Sequence, residues 1–240
     1  MLIPFVQLEM AGALGLPEGR YRSVEEGSER VLIAQELGAP RPERRGRRRR
    51  PREVEPGEPG EVPVTRLTVA GAERFQGRGK ATAWLEEVAA SPERRTAEVR
   101  AATATINRAL SALRAAARDP LVQEVGATRA LAIRIGVGTG EELAEGRWSE
   151  ARELPPPKRG RLDDVDPQAG VAAVLAGREN VHPAETLLQR ARLDLAQGRI
   201  AEARYGHRAA ATAAAEVEGA DEELHERLDR LGTEIEEAKR

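Results

Sequence analysis

The chain has 240 residues, a formal net charge of −2, 40% hydrophobic residues, 2% aromatic residues and no cysteine. Such a length suits one or two domains, and the near-neutral balance argues against a surface built as a whole to grip a polyanion. The lack of cysteine excludes disulfides, thiolate metal sites and thiol nucleophiles, and so few aromatic rings disfavour base-stacking platforms and aromatic-lined ligand pockets.

The core has to come from Leu, Ile, Val and Ala, which favours closely packed helices over a sandwich. Of the 38 basic residues, only Lys80, Lys158 and Lys239 are lysine. With so much Ala and Gly, this pattern reads as GC-rich coding bias, so arginine abundance alone carries no functional weight. Met1 to Phe5 lack the basic flank and long apolar stretch of a secretion signal. No window reaches the ~18 consecutive apolar residues of a membrane span. A cytoplasmic protein with no membrane partner is the expectation.

Residues 1–75 carry the strand-like material. Leu2–Leu8 is a short apolar run. Arg20–Val24 and Arg30–Leu37 flank Glu25-Glu26-Gly27-Ser28-Glu29, which reads as a hairpin turn. Val62–Val69 is rich in β-branched residues. Short runs bounded by Gly, Pro and Ser predict strands, here a small antiparallel sheet of three or four. Residues 38–61 interrupt it. They hold Arg41, Arg44, Arg45, Arg47, Arg48, Arg49, Arg50 and Arg52, then Glu53, Glu55, Glu58 and Glu61, with five prolines and four glycines. A segment with so little apolar surface to bury is expected to be a disordered loop.

From residue 80 to 148 the pattern reads as helical. Ala81, Trp84, Leu85 and Val88 share a face of a first helix. Ser91 reads as an N-cap with Pro92 at the first helical position. Val99, Ala102, Ile106, Ala109, Leu113 and Ala116 then mark a long amphipathic helix that ends near Asp119-Pro120. That dipeptide reads as the start of another helix, with Leu121, Val125, Thr128, Ala132 and Ile135 on one face. Leu131, Ile133, Ile135 and Val137 also alternate with Ala132, Arg134 and Gly136, which is a strand pattern. The cap and the lack of Gly or Pro over 127–135 favour helix.

Residues 149–166 read as a second disordered linker, with Pro155-Pro156-Pro157 followed by Asp163, Asp164 and Asp166. Pro167 opens a short helix carrying Val171, Val174 and Leu175. Pro183 opens another, with Leu187, Leu188, Ala191 and Leu195 inward and Gly198 as its terminator. Ile200–Val217 is an Ala-rich helix. Leu224, Leu228, Leu231 and Ile235 stand at heptad spacing on the last one, too short a run for a coiled coil and better suited to docking on the preceding hairpin. From Glu216 to Arg240 there are ten acidic and four basic residues, so its outer face is acidic.

Ala184-Glu185-Thr186-Leu187-Leu188, with Leu195-Ala196-Gln197-Gly198-Arg199-Ile200-Ala201-Glu202-Ala203, resembles a tetratricopeptide repeat. The resemblance covers residues 183–217 and implies a helical hairpin of a kind used for peptide binding. No second copy follows at the ~34-residue period of that family, so an ordinary antiparallel hairpin is expected.

Three features invite chemistry. The run Arg44, Arg45, Arg47, Arg48, Arg49, Arg50 and Arg52 points to non-specific nucleic-acid binding through phosphates, although the glutamates that follow compete for the same guanidinium groups. Gly136-Val137-Gly138-Thr139-Gly140-Glu141 resembles a phosphate loop, which makes Gly138, Thr139 and Gly140 candidate anion ligands. No Lys-Ser or Lys-Thr follows, and Glu141 and Glu142 would repel phosphate. His182, His207 and His225 lie on or beside separate helices without metal-ligand spacing. No catalytic set, metal or cofactor is implied.

The sequence therefore predicts an α+β protein. A small N-terminal antiparallel sheet (1–75) precedes a predominantly helical body of six or seven helices: a helical region at 80–148, then, beyond the linker, a helical hairpin region at 167–240. The expected function is that of a non-enzymatic interaction or scaffold protein whose helical C-terminal half binds a protein partner of unknown identity. Nucleic-acid association through 41–52 is the alternative, an enzyme with an anion site at Gly136–Glu141 a more remote one, and the oligomeric state is open.

Overall fold

The computed structural model describes residues 1–25, 28–38, 62–155 and 167–239. The chain divides into two compact units, Met1–Arg159 and Gly160–Arg240. The predicted loop at 38–61 and the second half of the predicted linker lie outside the described residues, apart from their flanks.

The first unit runs β1 (Ile3–Ala11), β2 (Gly19–Glu25), β3 (Ser28–Leu37), β4 (Val64–Ala70), α1 (Arg78–Ala90), α2 (Pro92–Ala117), β5 (Ala130–Gly138), α3 (Gly140–Ala144) and β6 (Glu150–Leu154). The six strands form one sheet in the order β2-β3-β4-β1-β5-β6, and every neighbouring pair is antiparallel. The architecture is α+β, as the sequence predicts.

β1 is an apolar run because it is central. Val6, Leu8 and Met10 point to one face, where they join Leu32, Leu67, Val69, Ile133 and Ile135. Two helices cover that face. Leu85 and Val88 of α1, and Val99, Ala102, Ile106 and Leu110 of α2, are buried against it. Each fully buried Leu, Ile or Val contributes about 1.5–3 kcal/mol of transfer free energy. On the opposite face Phe5, Ile33 and Ala70 pack under Leu143 of α3 and against Trp148.

Local signals set the helix ends. The Ser91 hydroxyl accepts from the Arg94 N–H at 3.2 Å and starts α2, with Pro92 at its first position. The helix stops at Arg118, which adopts a left-handed φ of 53°. Buried Asn107 then fixes the loop that returns the chain to the sheet. Its side-chain nitrogen donates to the Val125 carbonyl at 2.9 Å, and its oxygen accepts from the Val125 N–H at 2.8 Å. One amide side chain thus satisfies both backbone groups of a residue that has no strand partner.

The helix expected from Asp119-Pro120 through Ile135 does not form, and the region 80–148 read as helical contains β5 as well as helices. The Asp119 side chain accepts from the Leu121 N–H at 2.9 Å and caps a turn instead. Residues 130–138 are β5, which pairs with β1 from Ile3↔Gly138 to Met10↔Ala130. The alternation decides the outcome. Ile133, Ile135 and Val137 are buried, while Ala132 and Arg134 between them are half-buried, a pattern of period two rather than 3.6. The sheet is also larger than expected, since β5 and β6 add to the four N-terminal strands. Residues 150–154, placed in the second linker by sequence, form β6 because β5 offers them a free edge.

The second unit holds α4 (Pro167–Leu175), α5 (Pro183–Ala196), α6 (Ile200–Glu216) and α7 (Glu222–Glu237). The hairpin of α5 and α6 packs through small residues: Ala184 and Ala191 against Ala203, Ala210 and Ala214. Gly206 lets the two helices approach, since a Cβ there would lie 3.0 Å from the Ala191 Cβ. Such an interface buries little area. α7 supplies the rest, with Leu224, Leu228, Leu231 and Ile235 buried against the hairpin and Arg227 paired to Glu185 of α5 at 2.7 Å. At the hairpin turn, the Arg199 Nε donates to buried Asp194 at 2.9 Å.

The Asn107 clamp yields a stability prediction. Asn107→Leu keeps the volume but strands a buried N–H and a buried C=O. It should lower unfolding free energy by about 1–3 kcal/mol, read as a shifted urea midpoint with an unchanged slope.

Candidate functional site

Arg44, Arg45, Arg47, Arg48, Arg49, Arg50 and Arg52 lie outside the described residues. Gly138 ends β5, Thr139 is the N-cap of α3, and Gly140 begins that five-residue helix. The Thr139 hydroxyl accepts from the Glu142 N–H at 3.2 Å, and the Glu142 carboxylate accepts from the Thr139 N–H at 2.8 Å. This reciprocal capping box places the chain's own carboxylate where an external anion would sit. The Thr139 N–H and the Ser149 hydroxyl also hold the Glu142 pKa below its usual value.

The glycines of this stretch serve packing. A Cβ on Gly136 would lie 2.3 Å from the Glu150 carbonyl and 2.8 Å from Ala151, so β6 can pair with β5 only where that side chain is absent. Leu143 and Trp148 close over Gly138 in the same way.

The three histidines make local contacts. His182 caps α5 by accepting from the Ala184 N–H at 3.1 Å. His207 Nε2 donates to the Leu228 carbonyl at 3.0 Å, and His225 Nδ1 to the Asp221 carbonyl at 2.7 Å. Among the described residues, no group of three or more His, Asp or Glu converges as metal ligands.

Sequence reasoning missed two features. The first is a polar network on the sheet face under α3. Glu9 Oε1 receives Arg66 Nη2 and Arg134 Nη1, each at 2.9 Å. Arg134 also reaches Glu153 at 3.2 Å and lies over the Trp148 ring at 5.6 Å. Buried Gln7 bridges it to buried Thr68. The three paired side chains are only 16–21% exposed. Two arginines meet two glutamates, so the cluster is charge-balanced and has no surplus cation with which to attract a ligand. It ties β4, β1, β5 and β6 together across the sheet.

The second is a cleft of about 450 Å³ between the edge strand β2 and the second half of α2. Leu16, Tyr21 and Leu32 line the sheet side; Ala109, Ala112, Leu113 and Ala116 line the helix side. The gap stays open along Ala109, Ala112 and Ala116 because these facing positions are alanine, and Arg108 of the same helix wall reaches across to β2. Tyr21 is fixed by its hydroxyl, which donates to the Pro17 carbonyl at 2.5 Å. Thr105 and Arg108 supply polar groups at the wall, and Arg108 Nη2 donates to the Val24 carbonyl at 3.0 Å. This volume and its apolar lining with few polar groups match a binding cleft. Tyr21, Ser23 and Thr105 bring hydroxyls to the lining, which holds no His, Asp or Glu among the described residues. The alanines of α2 were its only trace in the sequence, and they read equally well as helix formers.

Comparison with protein-family models, with curated proteins and with solved structures finds no match.

Two predictions follow from these geometries. Burial pushes the Glu9 carboxyl up, but hydrogen bonds and the charges of Arg66 and Arg134 outweigh it and hold the pKa below the ordinary 4.5. A depressed folded-state value means stabilisation that is complete above 4.5 and fades as pH falls through the folded value. Glu9→Gln should therefore be less stable than wild type at about pH 7, yet lose less stability between about pH 5 and pH 3. Urea midpoints at the three pH values read this. Gly136→Ala should cost about 1–3 kcal/mol or more through collision with β6, seen as a lower melting temperature.

Proposed function

We propose that the chain is a non-catalytic interaction module that holds an apolar segment of a partner protein in the cleft between β2 and α2. The supporting observation is the cleft itself: it is open, mostly apolar and walled by a strand and a long helix. In the second unit the apolar stripes of α5, α6 and α7 face one another, which commits those stripes to the packing of the hairpin and its docked helix. The module reading keeps the interaction role expected from sequence and locates its contact surface in the sheet-containing unit.

A displayed library of random dodecapeptides, selected on the full-length protein, tests the reading. Ala112 is exposed on the cleft wall, so Ala112→Trp fills the cleft without disturbing the core. Selected peptides should lose roughly tenfold or more in affinity for Ala112→Trp, while its melting temperature stays that of wild type. Deleting residues 41–52 should leave peptide affinity unchanged, which separates this binding from any phosphate binding by the arginine run. Peptides that bind wild type and Ala112→Trp equally would refute the reading.

A further inference from the structure

We infer that the occupant of the cleft is an extended segment that adds to the sheet as a seventh strand on β2, apolar at the alternate positions that enter the cleft and acidic where it passes Arg20. The inference rests on the cleft reading above and adds the conformation and charge of the partner.

Among the described residues β2 is the outermost strand, paired to β3 on one side. The Val24 carbonyl points away from β3, because Arg108 takes it. In an antiparallel strand the outward-facing backbone groups belong to every second residue. Arg20 and Arg22 therefore present their N–H and C=O groups on the same outer edge. The cleft borders this edge directly, since Tyr21, Arg22, Ser23 and Val24 all line it. An extended segment laid on the edge gains main-chain hydrogen bonds from Arg20 and Arg22. Its alternate side chains drop between β2 and the alanine face of α2. That is the geometry of strand addition, in which backbone pairing supplies affinity and pockets for alternate side chains supply specificity.

Charge sets the other half of the pattern. The side chains of Arg20 and Arg22 point to the sheet face away from α2, because Tyr21 packs against the α2 side. Both arginines are exposed, but Glu29 of β3 holds Arg22 at 2.7 Å, so Arg20 is the cation on this edge that a neighbouring strand can pair. A strand beside β2 places its own alternate side chains next to it, and cross-strand pairs of opposite charge are favoured there while like charges are disfavoured. The segment is therefore acidic where it passes Arg20.

The other edge of the sheet shows the contrast. β6 is five residues long against seven for β2, and short edge strands resist further pairing.

The dodecapeptides selected on wild type and counter-selected on Ala112→Trp decide the matter. The expected consensus has apolar residues with period two and an acidic residue at an intervening position. N-methylation of alternate peptide amides should weaken binding roughly tenfold or more at one parity and little at the other, a readout that leaves the protein untouched. Arg22→Pro removes an outward N–H on an edge where proline is tolerated, and should weaken the same peptides by a similar factor. A consensus with apolar residues at i, i+3 and i+4, or N-methylation without parity, overturns strand addition and leaves the cleft reading standing. Peptides indifferent to Ala112→Trp overturn both. Light scattering that shows a dimer lost on Arg22→Pro assigns the edge to a second copy and overturns the proposal.

Discussion

The first unit depends on the two-sided burial of β1. This strand is flanked by β4 on one edge and β5 on the other, and both of its faces are covered. No open antiparallel sheet with one wet face needs such a strand. Here one face meets α1 and α2, and the other meets α3 and Trp148. The consequence is a polar problem. Gln7 and Glu9 stand on a central strand and are largely desolvated, so each must find partners within the protein. Thr68, Arg66 and Arg134 supply them, and these come from the two flanking strands. The arrangement couples charge pairing to strand register: a slip of one residue on β4 or β5 would send its arginine to the opposite face.

Much of this architecture was legible in the sequence where the signal is local. The four N-terminal strands follow from short runs bounded by turn residues, and α2 follows from Ser91-Pro92 and an apolar stripe. The stripe on α7 and the hairpin of α5 and α6 were likewise readable. β5 was not. Asp119-Pro120 has the chemistry of a helix cap, but its side chain serves a turn, and Asn107 on another element holds the loop that follows. The choice between periods of two and 3.6 over residues 130–138 is made by β1, more than a hundred positions earlier in the chain, as the Gln7–Arg134 contact shows. Nothing within the window could settle it.

The candidate sites illustrate the same limit. Gly136, Gly138 and Gly140 look like a phosphate loop when read as a spacing, because glycine is the residue that lets backbone approach something closely. In the folded chain that something is β6 and Trp148. The Arg66–Glu9–Arg134 network could not be anticipated, since its members become neighbours only through strand pairing. The cleft was hidden for the opposite reason. Its helix wall is made of alanine, the residue with the least to announce, and a cavity is defined by what those small side chains leave empty.

That emptiness bears on what the surface can hold. A helix face of Ala109, Ala112 and Ala116 offers shallow contacts spread along its length, with Leu113 and Tyr21 as the larger features. A single bulky anchor would find no deep pocket there. An extended backbone, which brings a small or medium side chain to the cleft every second residue, matches such a wall and does not depend on one hot spot. The edge of β2 meets its polar requirement at the same time, because a strand laid in an apolar cleft must otherwise bury unpaired N–H and C=O groups. Apolar wall and open edge thus each answer the cost that the other imposes, and their adjacency at β2, set against the shorter edge at β6, is what gives this sheet a direction in which to accept a partner.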